Sequence, residues 1–84
     1  MNIQAEVSLY PLRTDALAPA VRGFLDALRS RGVTVVPGAM SSQVRGEADA
    51  VFAALANAFA DVAKNQQAVV VIKASNACPE AESL

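Results

Sequence analysis

The sequence contains no histidine and no tryptophan, one cysteine (Cys78) and one tyrosine (Tyr10). Without histidine, the chain lacks the commonest general base and the commonest metal ligand. A single cysteine cannot form an internal disulfide, which fits a reducing cytoplasm, and we expect a structural thiol rather than a redox-active one. The composition therefore favours a protein that holds no metal or cofactor and is not an enzyme.

Long runs of one residue class are missing as well. Seven basic and eight acidic residues give a formal net charge of −1, and no basic run is present, which argues against binding of nucleic acid. No apolar run approaches the ~20 residues that a membrane helix needs. Asn2, Gln4 and Glu6 interrupt the start of the chain, unlike the pattern of a signal peptide. We therefore expect a cytoplasmic protein without membrane insertion.

What the chain does have is a high apolar content for its length. The 84 residues are 54% hydrophobic and 18% charged, which predicts one folded domain over residues 1–84. A chain of this size buries only about 60–65% of its unfolded surface. The remaining apolar surface suggests contact with a second subunit.

Four segments have the pattern of β-strands. Residues 2–10 alternate between apolar and polar side chains, as a strand buried on one side does. Residues 33–36 are β-branched, and residues 39–47 follow the turn signal Pro37-Gly38. Residues 68–74 are apolar on both faces, which suits either a strand covered on both sides or an edge strand whose outer face is covered by another subunit.

Two segments between the strands have apolar residues at helical spacing. The capping residue of the first helix is predicted to be Thr14 or Asp15, and Gly32 is expected in a left-handed conformation after its end. The second helix is expected to stop near Asn65. The expected buried stripes are Leu17, Val21, Phe24, Leu25 and Leu28 in the first helix, and Val51, Phe52, Leu55, Phe59 and Val62 in the second.

The predicted order of elements is β-α-β-β-α-β. Two right-handed strand–helix–strand units around a central hairpin give a ferredoxin-like α+β sandwich. We expect a four-stranded antiparallel sheet with both helices on one face, and with strands 2–10 and about 40–46 at its centre. The helices then leave the polar side of strand 2–10 uncovered.

The polar residues of the two central strands allow two interpretations. Ser41, Ser42 and Gln43 either form a small-molecule site or lie on a solvent-facing strand side. Glu6 either balances a cationic ligand or pairs with Arg45 or Lys73 on a neighbouring strand. Tyr10 is either a stacking platform or an interface aromatic residue.

Four short motifs resemble a known family. They are Ser8-Leu9-Tyr10-Pro11, Met40-Ser41-Ser42-Gln43-Val44-Arg45-Gly46, Ala50-Val51-Phe52 and Asn76-Ala77-Cys78-Pro79. In this order and spacing they are similar to the thiamine/hydroxymethylpyrimidine-binding proteins of the YkoF type. The resemblance runs over nearly the whole chain.

This resemblance implies a ferredoxin-like unit that binds thiamine or its hydroxymethylpyrimidine moiety, without catalysis, in vitamin salvage or uptake. The YkoF type carries two such units in one chain, so a single unit implies a homodimer or a dimer of dimers. The family also has threonine where this chain has Ser42, which leaves the identity of the ligand open. The motifs and the polar strand face together give these candidate ligand-binding residues: Glu6, Ser8, Tyr10, Met40, Ser41, Ser42, Gln43 and Asn76.

The alternative is a ligand-sensing or structural dimerisation module of the same fold that does not bind the vitamin. An amino-acid sensor of this fold would have a glycine-rich loop after the first strand. This chain has Pro11-Leu12-Arg13 at that place, which favours the vitamin-binding interpretation.

Overall fold

The computed structural model describes residues 1–77 and contains the six predicted elements in the predicted order. They are β1 (Asn2–Pro11), α1 (Leu17–Arg29), β2 (Thr34–Pro37), β3 (Ser42–Glu47), α2 (Ala48–Ala63) and β4 (Ala68–Ser75). Residues Cys78 and Pro79 of the fourth motif lie outside the described residues.

The four strands form one sheet in the order β2-β3-β1-β4, and every neighbouring pair is antiparallel. Strands β1 and β3 are central, and β4 is an edge strand, as the sequence predicts. Both helices contact strands of this sheet and pack against each other. The predicted ferredoxin-like α+β fold is confirmed.

The core lies between the sheet and the two helices. Strand β1 contributes every second residue to it, which explains the alternation of residues 2–10. The buried apolar residues are Ile3, Ala5, Val7, Phe24, Leu28, Val33, Val44, Val51, Ala54, Leu55 and Ala58.

The helical stripes differ from the prediction at two positions, since Leu17 and Phe52 are both about half exposed. Leu17 is the first residue of α1, at the end of the packed stripe. Phe52 follows the buried Val51 and is therefore rotated by about 100° around the helix, away from the sheet. Small residues of α2, Ala54 and Ala58, are buried instead, which lets the helix approach its neighbours closely.

The ends of the helices are also partly as predicted. The capping residue of α1 is Ala16, without a side-chain hydrogen bond, so the predicted cap by Thr14 or Asp15 is wrong. Thr14 instead accepts a hydrogen bond from the Ala16 N–H at 3.0 Å, which orders the turn before the helix. Gly32 has a φ of +81° and so adopts the predicted left-handed conformation.

A four-residue loop, 38–41, joins β2 to β3. Strand β3 therefore starts three residues later than the sequence pattern suggests. Gly38, the first residue of this loop, lies close to Ser41, the last one. A Cβ atom at position 38 would lie 2.5 Å from the backbone oxygen of Ser41. Glycine at position 38 thus permits the compact turn that positions Met40 and Ser41.

Candidate functional site

The strand register decides which polar residues share a face. Residues directly opposite each other on antiparallel strands point to the same side of a sheet. Ser42 is opposite the buried Val7, so it faces the helices. Gln43 is opposite Glu6 and faces the other way, onto what we call the open face.

The open face carries two polar rows that cross all four strands. The first row is Thr34, Arg45, Gln4 and Ser75, and the second is Val36, Gln43, Glu6 and Lys73. Farther along, β1 and β4 alone continue this face with Ser8 opposite Val71 and Tyr10 opposite Val69. The face therefore changes from polar at one end to apolar at the other.

Glu6 forms an ion pair with Lys73, with Oε1 and Nζ 3.2 Å apart. This is one of the two alternatives that the sequence leaves open, and Arg45 lies opposite Gln4 instead. Both charged groups of the pair are at least half exposed, so solvent screens their attraction. Glu6 is thus a surface carboxylate that already has a cationic neighbour.

A cavity on the open face surrounds Arg45, and we call it the Arg45 cavity. Its volume is about 420 Å³. It lies beside the first residues of β1 and the last residues of β3 and β4. Its described lining residues are Asn2, Ile3, Gln4, Thr34, Arg45, Gly46, Ser75 and Asn76.

Near this cavity, hydrogen bonds join Met1 to residues that are distant in the sequence. The Met1 ammonium donates a hydrogen bond to Glu47 Oε2 at 2.7 Å, and this contact raises the pKa of the amino group. The Asn76 amide donates to the Met1 sulfur at 3.4 Å. These exposed contacts hold the residue after β4 beside the start of β1.

A second cavity lies on the helix side, between loop 38–41 and α1, and we call it the hairpin cleft. Its volume is about 170 Å³. Apolar residues of β1 and α1 form most of the wall, and the loop contributes small and polar residues. The lining residues are Val7, Ser8, Leu9, Val21, Phe24, Leu25 and residues 38–42.

Ser42 is the polar group that marks the hairpin cleft. It is only 8% exposed and is the one buried polar residue among residues 1–77. The first residue of a central strand usually presents an apolar side chain to the core. A hydroxyl at this position is available to hydrogen-bond a polar group that enters the cleft.

The structure does not gather the eight candidate residues into one site. Met40, Ser41 and Ser42 line the hairpin cleft, and Met40 is 92% exposed at its rim. Ser8 also borders this cleft, although the alternation of β1 turns its side chain toward the open face. The candidate residues elsewhere are Glu6 and Gln43 at the centre of the open face, Tyr10 at its apolar end and Asn76 in the Arg45 cavity.

Sequence reasoning missed two parts of these cavities. The wall residues Phe24 and Leu25 belong to a helical stripe that predicts core packing, and nothing in that stripe indicates a cavity. The row through Arg45 depends on the register between β1 and β3. The alternation of residues 2–10 places Gln4 on a polar strand face, but it does not show that Gln4 lies opposite Arg45.

Two further features of residues 1–77 concern metal binding and membrane crossing. Within residues 1–77, no three acidic, cysteine or histidine residues lie close enough together to hold a metal ion. No helix in this part of the chain combines the length and apolar character needed to cross a membrane.

Comparison with protein families gives a match over most of the chain. The model of the YkoF-related family matches residues 2–81. A search of curated proteins gives no significant match.

Several solved structures have the same fold. A hypothetical protein from Methanocaldococcus jannascii is 21% identical with a TM-score of 0.84, and the match covers 94% of this chain and 84% of that one. A Streptococcus pneumoniae protein is 17% identical with a TM-score of 0.83, covering 100% and 93%. A Thermotoga maritima protein provisionally assigned to thiamine biosynthesis or salvage is 12% identical with a TM-score of 0.86, covering 100% and 96%. At these identities the likeness shows the fold alone.

Proposed function

Because the chain belongs to the YkoF-related family, we propose that it binds thiamine or its hydroxymethylpyrimidine moiety reversibly, without turnover, in vitamin B1 salvage or uptake. The observation that carries this proposal is Ser42, a buried hydroxyl in the wall of the hairpin cleft. The solved relative from Thermotoga maritima, with its provisional thiamine assignment, supports the same class of ligand.

We place the pyrimidine ring in the hairpin cleft because of the shape and chemistry of its wall. Its volume of about 170 Å³ is below the roughly 300–1,000 Å³ of pockets that enclose whole drug-sized ligands. The cleft therefore suits one flat ring, with the rest of thiamine outside. Leu9, Val21 and Leu25 are partly exposed in the wall and provide apolar surface for the ring faces.

The polar groups of the cleft match the edges of an aminopyrimidine. Its ring nitrogens accept hydrogen bonds and its amine donates them, and a serine hydroxyl can do both. Ser41 and Ser42 are the two hydroxyl residues of the loop-to-strand junction. Met40, exposed beside them, has a flexible side chain that can pack on a bound ring.

The thiazolium ring of thiamine is cationic and would lie outside the cleft. Glu6 is on the opposite face of the sheet and pairs with Lys73, so it is not the partner that we assign to this charge. Gln43 lies beside Glu6 on the same face. We therefore assign the pyrimidine-binding role to Met40, Ser41 and Ser42, with the backbone of Ser8.

The test is calorimetric titration of the wild type and of Ser42→Ala with thiamine and with hydroxymethylpyrimidine. Removing the hydroxyl of Ser42, a residue that is only 8% exposed, leaves a ligand group without its partner. This should cost roughly 1–3 kcal/mol, or about five- to a hundred-fold in affinity. Ser30→Ala is the matched control, because Ser30 is an exposed serine after α1 whose hydroxyl donates to the Ala27 carbonyl.

Two results would contradict the proposal. Absence of binding by the wild type at millimolar ligand would leave a structural or differently sensing module as the better function. Equal binding by the wild type and Ser42→Ala would place the ligand elsewhere on the protein. Circular dichroism of each variant shows whether a loss of affinity reflects a loss of folding.

We also propose that two copies of the chain associate through β4 and the apolar end of the open face. Among residues 1–77, β4 is the outermost strand on its side of the sheet, and Val69 and Val71 are exposed on its open face. Tyr10 extends this apolar surface onto β1. A long apolar edge strand left bare promotes aggregation, so a second copy is the occupant that fits the single-unit chain.

Light scattering tests this association. The wild type should have at least twice the mass of the 8.7 kDa chain at micromolar concentration, and Val71→Lys should shift it toward the monomer. Val36→Lys is the matched control, since Val36 is similarly exposed on the same face but lies on the opposite edge strand, β2. A monomeric wild type, or equal effects of the two substitutions, would contradict the proposed interface.

A further inference from the structure

We propose that Met40 is a site of reversible oxidation, and that its sulfoxide lowers the affinity of the hairpin cleft for its ligand. Met40 lies at the rim of this cleft and is 92% exposed. The effect on binding rests on the proposed function, the binding of a pyrimidine ring in the cleft. The position of the oxidation site rests on the exposure of the sulfur-bearing side chain.

The two methionines of the chain differ in their surroundings. The Met1 sulfur accepts a hydrogen bond from the Asn76 amide at 3.4 Å, and Met1 is 71% exposed. Met40 is more exposed, and within residues 1–77 it belongs neither to the core nor to the residues packed against it. Oxidation requires that the oxidant reaches the sulfur. We therefore expect Met40 to be oxidised faster than Met1.

The proposed contact between two copies of the chain leaves Met40 accessible. Loop 38–41 joins β2 to β3, and β2 is the outermost strand on one side of the described sheet. The proposed contact uses β4, which is outermost on the other side. An oxidant can therefore reach Met40 in the single chain and in the associated one.

The reaction takes a peroxide as its oxidant and needs no catalytic group of the chain. The thioether sulfur attacks one oxygen of the peroxide, so that an S–O bond forms and the O–O bond breaks. With hydrogen peroxide, the departing hydroxide takes the proton from the transferred oxygen and leaves as water. The sulfur has then lost two electrons, and the peroxide has gained them. Methionine sulfoxide reductases reverse this change, so the modification is reversible.

The sulfoxide alters the chemistry of the rim of the cleft. A methionine thioether is flexible and apolar, and it packs well on the face of a flat ring. A sulfoxide is polar, and burying its oxygen without a hydrogen bond is unfavourable. The neighbouring apolar wall of Leu9, Val21 and Leu25 offers no side-chain donor for that bond. The oxidised side chain therefore stays in solvent, and a bound ring loses one of its contacts.

Oxidation of Met40 should leave the fold intact. An almost fully exposed side chain contributes little burial to the folded state, so changing it affects stability only slightly. The midpoint of thermal unfolding should therefore be the same before and after treatment. A loss of affinity without a loss of stability separates a local effect at the cleft from general oxidative damage.

The experiment treats the wild type with hydrogen peroxide and locates the added oxygen by mass spectrometry of tryptic peptides. Met1, Met40 and Cys78 lie in different tryptic peptides, because arginine and lysine residues separate them. The peptide with Met40 should gain oxygen before the peptide with Met1. Calorimetric titration with hydroxymethylpyrimidine should then show an affinity about two- to ten-fold lower than before treatment, and a methionine sulfoxide reductase should restore it.

Two variants are treated in the same way, and each is compared with itself before and after treatment. Met40→Leu has an apolar side chain without sulfur at the rim, so peroxide should not change its affinity. Cys78→Ser removes the only thiol of the chain and should lose affinity on treatment as the wild type does. Circular dichroism of each sample shows whether the fold is retained.

Several results would overturn the proposal. Oxidation of Met1 before Met40 would mean that exposure at the rim does not select the site. Equal affinity of the wild type before and after oxidation of Met40 would exclude control of binding, although the proposed function would stand. An equal loss in Met40→Leu, or no loss in Cys78→Ser, would assign the effect to another sulfur.

A failure of the proposed function gives a different result. In that case the untreated wild type does not bind hydroxymethylpyrimidine at millimolar concentration, and the proposed effect of oxidation on binding is wrong as well. The order in which Met1 and Met40 gain oxygen still decides whether Met40 is the oxidation site.

Discussion

The two faces of the sheet are built by the same four strands but differ in almost every physical property. The face toward the helices is apolar and buried, and Ser42 is its buried polar residue among residues 1–77. The open face carries the polar rows through Arg45 and Glu6 and an apolar end at Tyr10. Neighbouring residues such as Val7 and Ser8 belong to different environments, because side chains alternate along a strand.

This difference determines which observation identifies a candidate site on each face. On the helix side, a polar group is unusual, and its cost suggests that it has a partner to bind. On the open side, polar groups are ordinary, and what matters there is their order across the strands. The hairpin cleft is therefore recognised by a single buried hydroxyl, and the Arg45 cavity by a row of groups.

The sharpest difference between the faces should appear in stability. Phe24 is almost fully buried against the sheet, and Phe24→Ala should lower the free energy of unfolding by about 3–5 kcal/mol because it leaves a cavity. A small domain has a total stability of only about 5–15 kcal/mol, so this variant should be largely destabilised. Urea denaturation followed by circular dichroism measures the change.

Val36→Ala is the control for the open face and should change the stability by less than about 1 kcal/mol, since Val36 is substantially exposed. Similar losses in the two variants would mean that the open face is packed as tightly as the core. That result would contradict the difference in burial between the two faces, and it would indicate that a second copy of the chain covers the open face.

A smaller effect is expected in the loop that borders the hairpin cleft. Gly38→Ala places a Cβ atom 2.5 Å from the Ser41 backbone oxygen, so the loop must shift. We expect a loss of about 1 kcal/mol or more in the free energy of unfolding. Gly23→Ala, in α1, has no atom within 4 Å of the added carbon and should raise stability by roughly 0.5–1 kcal/mol.

The signs of these two glycine substitutions should therefore be opposite, and thermal denaturation measures both. If Gly38→Ala is as stable as the wild type, the turn tolerates a side chain and does not fix the position of Met40 and Ser41. Affinity of Gly38→Ala for hydroxymethylpyrimidine, measured in parallel, shows whether the loop also shapes the cleft.

The smallest effect is expected at the centre of the open face. Glu6→Gln removes the ion pair with Lys73, whose charged groups are mostly exposed, and should cost less than about 1 kcal/mol. The effect should shrink further in high salt, because solvent ions screen exposed charges. A loss that is large and independent of salt would show that Glu6 is buried in the assembled protein.

Much of the fold follows from local patterns in the sequence. The alternation of residues 2–10 reflects one buried and one open strand face, and the period of the helical stripes reflects packing on a sheet. The order of these elements leaves few allowed topologies, since crossover connections are right-handed. The errors are local: the α1 cap, the exposed Leu17 and Phe52, and the start of β3 depend on contacts that a short pattern does not contain.

The sequence shows which residues are polar, but it does not show which of them lie together on one face of the sheet. Sequence alone indicates that Ser42 and Glu6 are chemically notable, and it leaves two interpretations of Glu6: a partner for a cationic ligand, or an ion pair with Arg45 or Lys73. Which side of the sheet each residue faces depends on the register, since a shift by one residue moves every side chain to the other face. The tertiary structure sets that register through the 38–41 loop and the pairing of β1 with both β3 and β4. It thereby separates Ser42 from Glu6 and brings Arg45 beside Gln4.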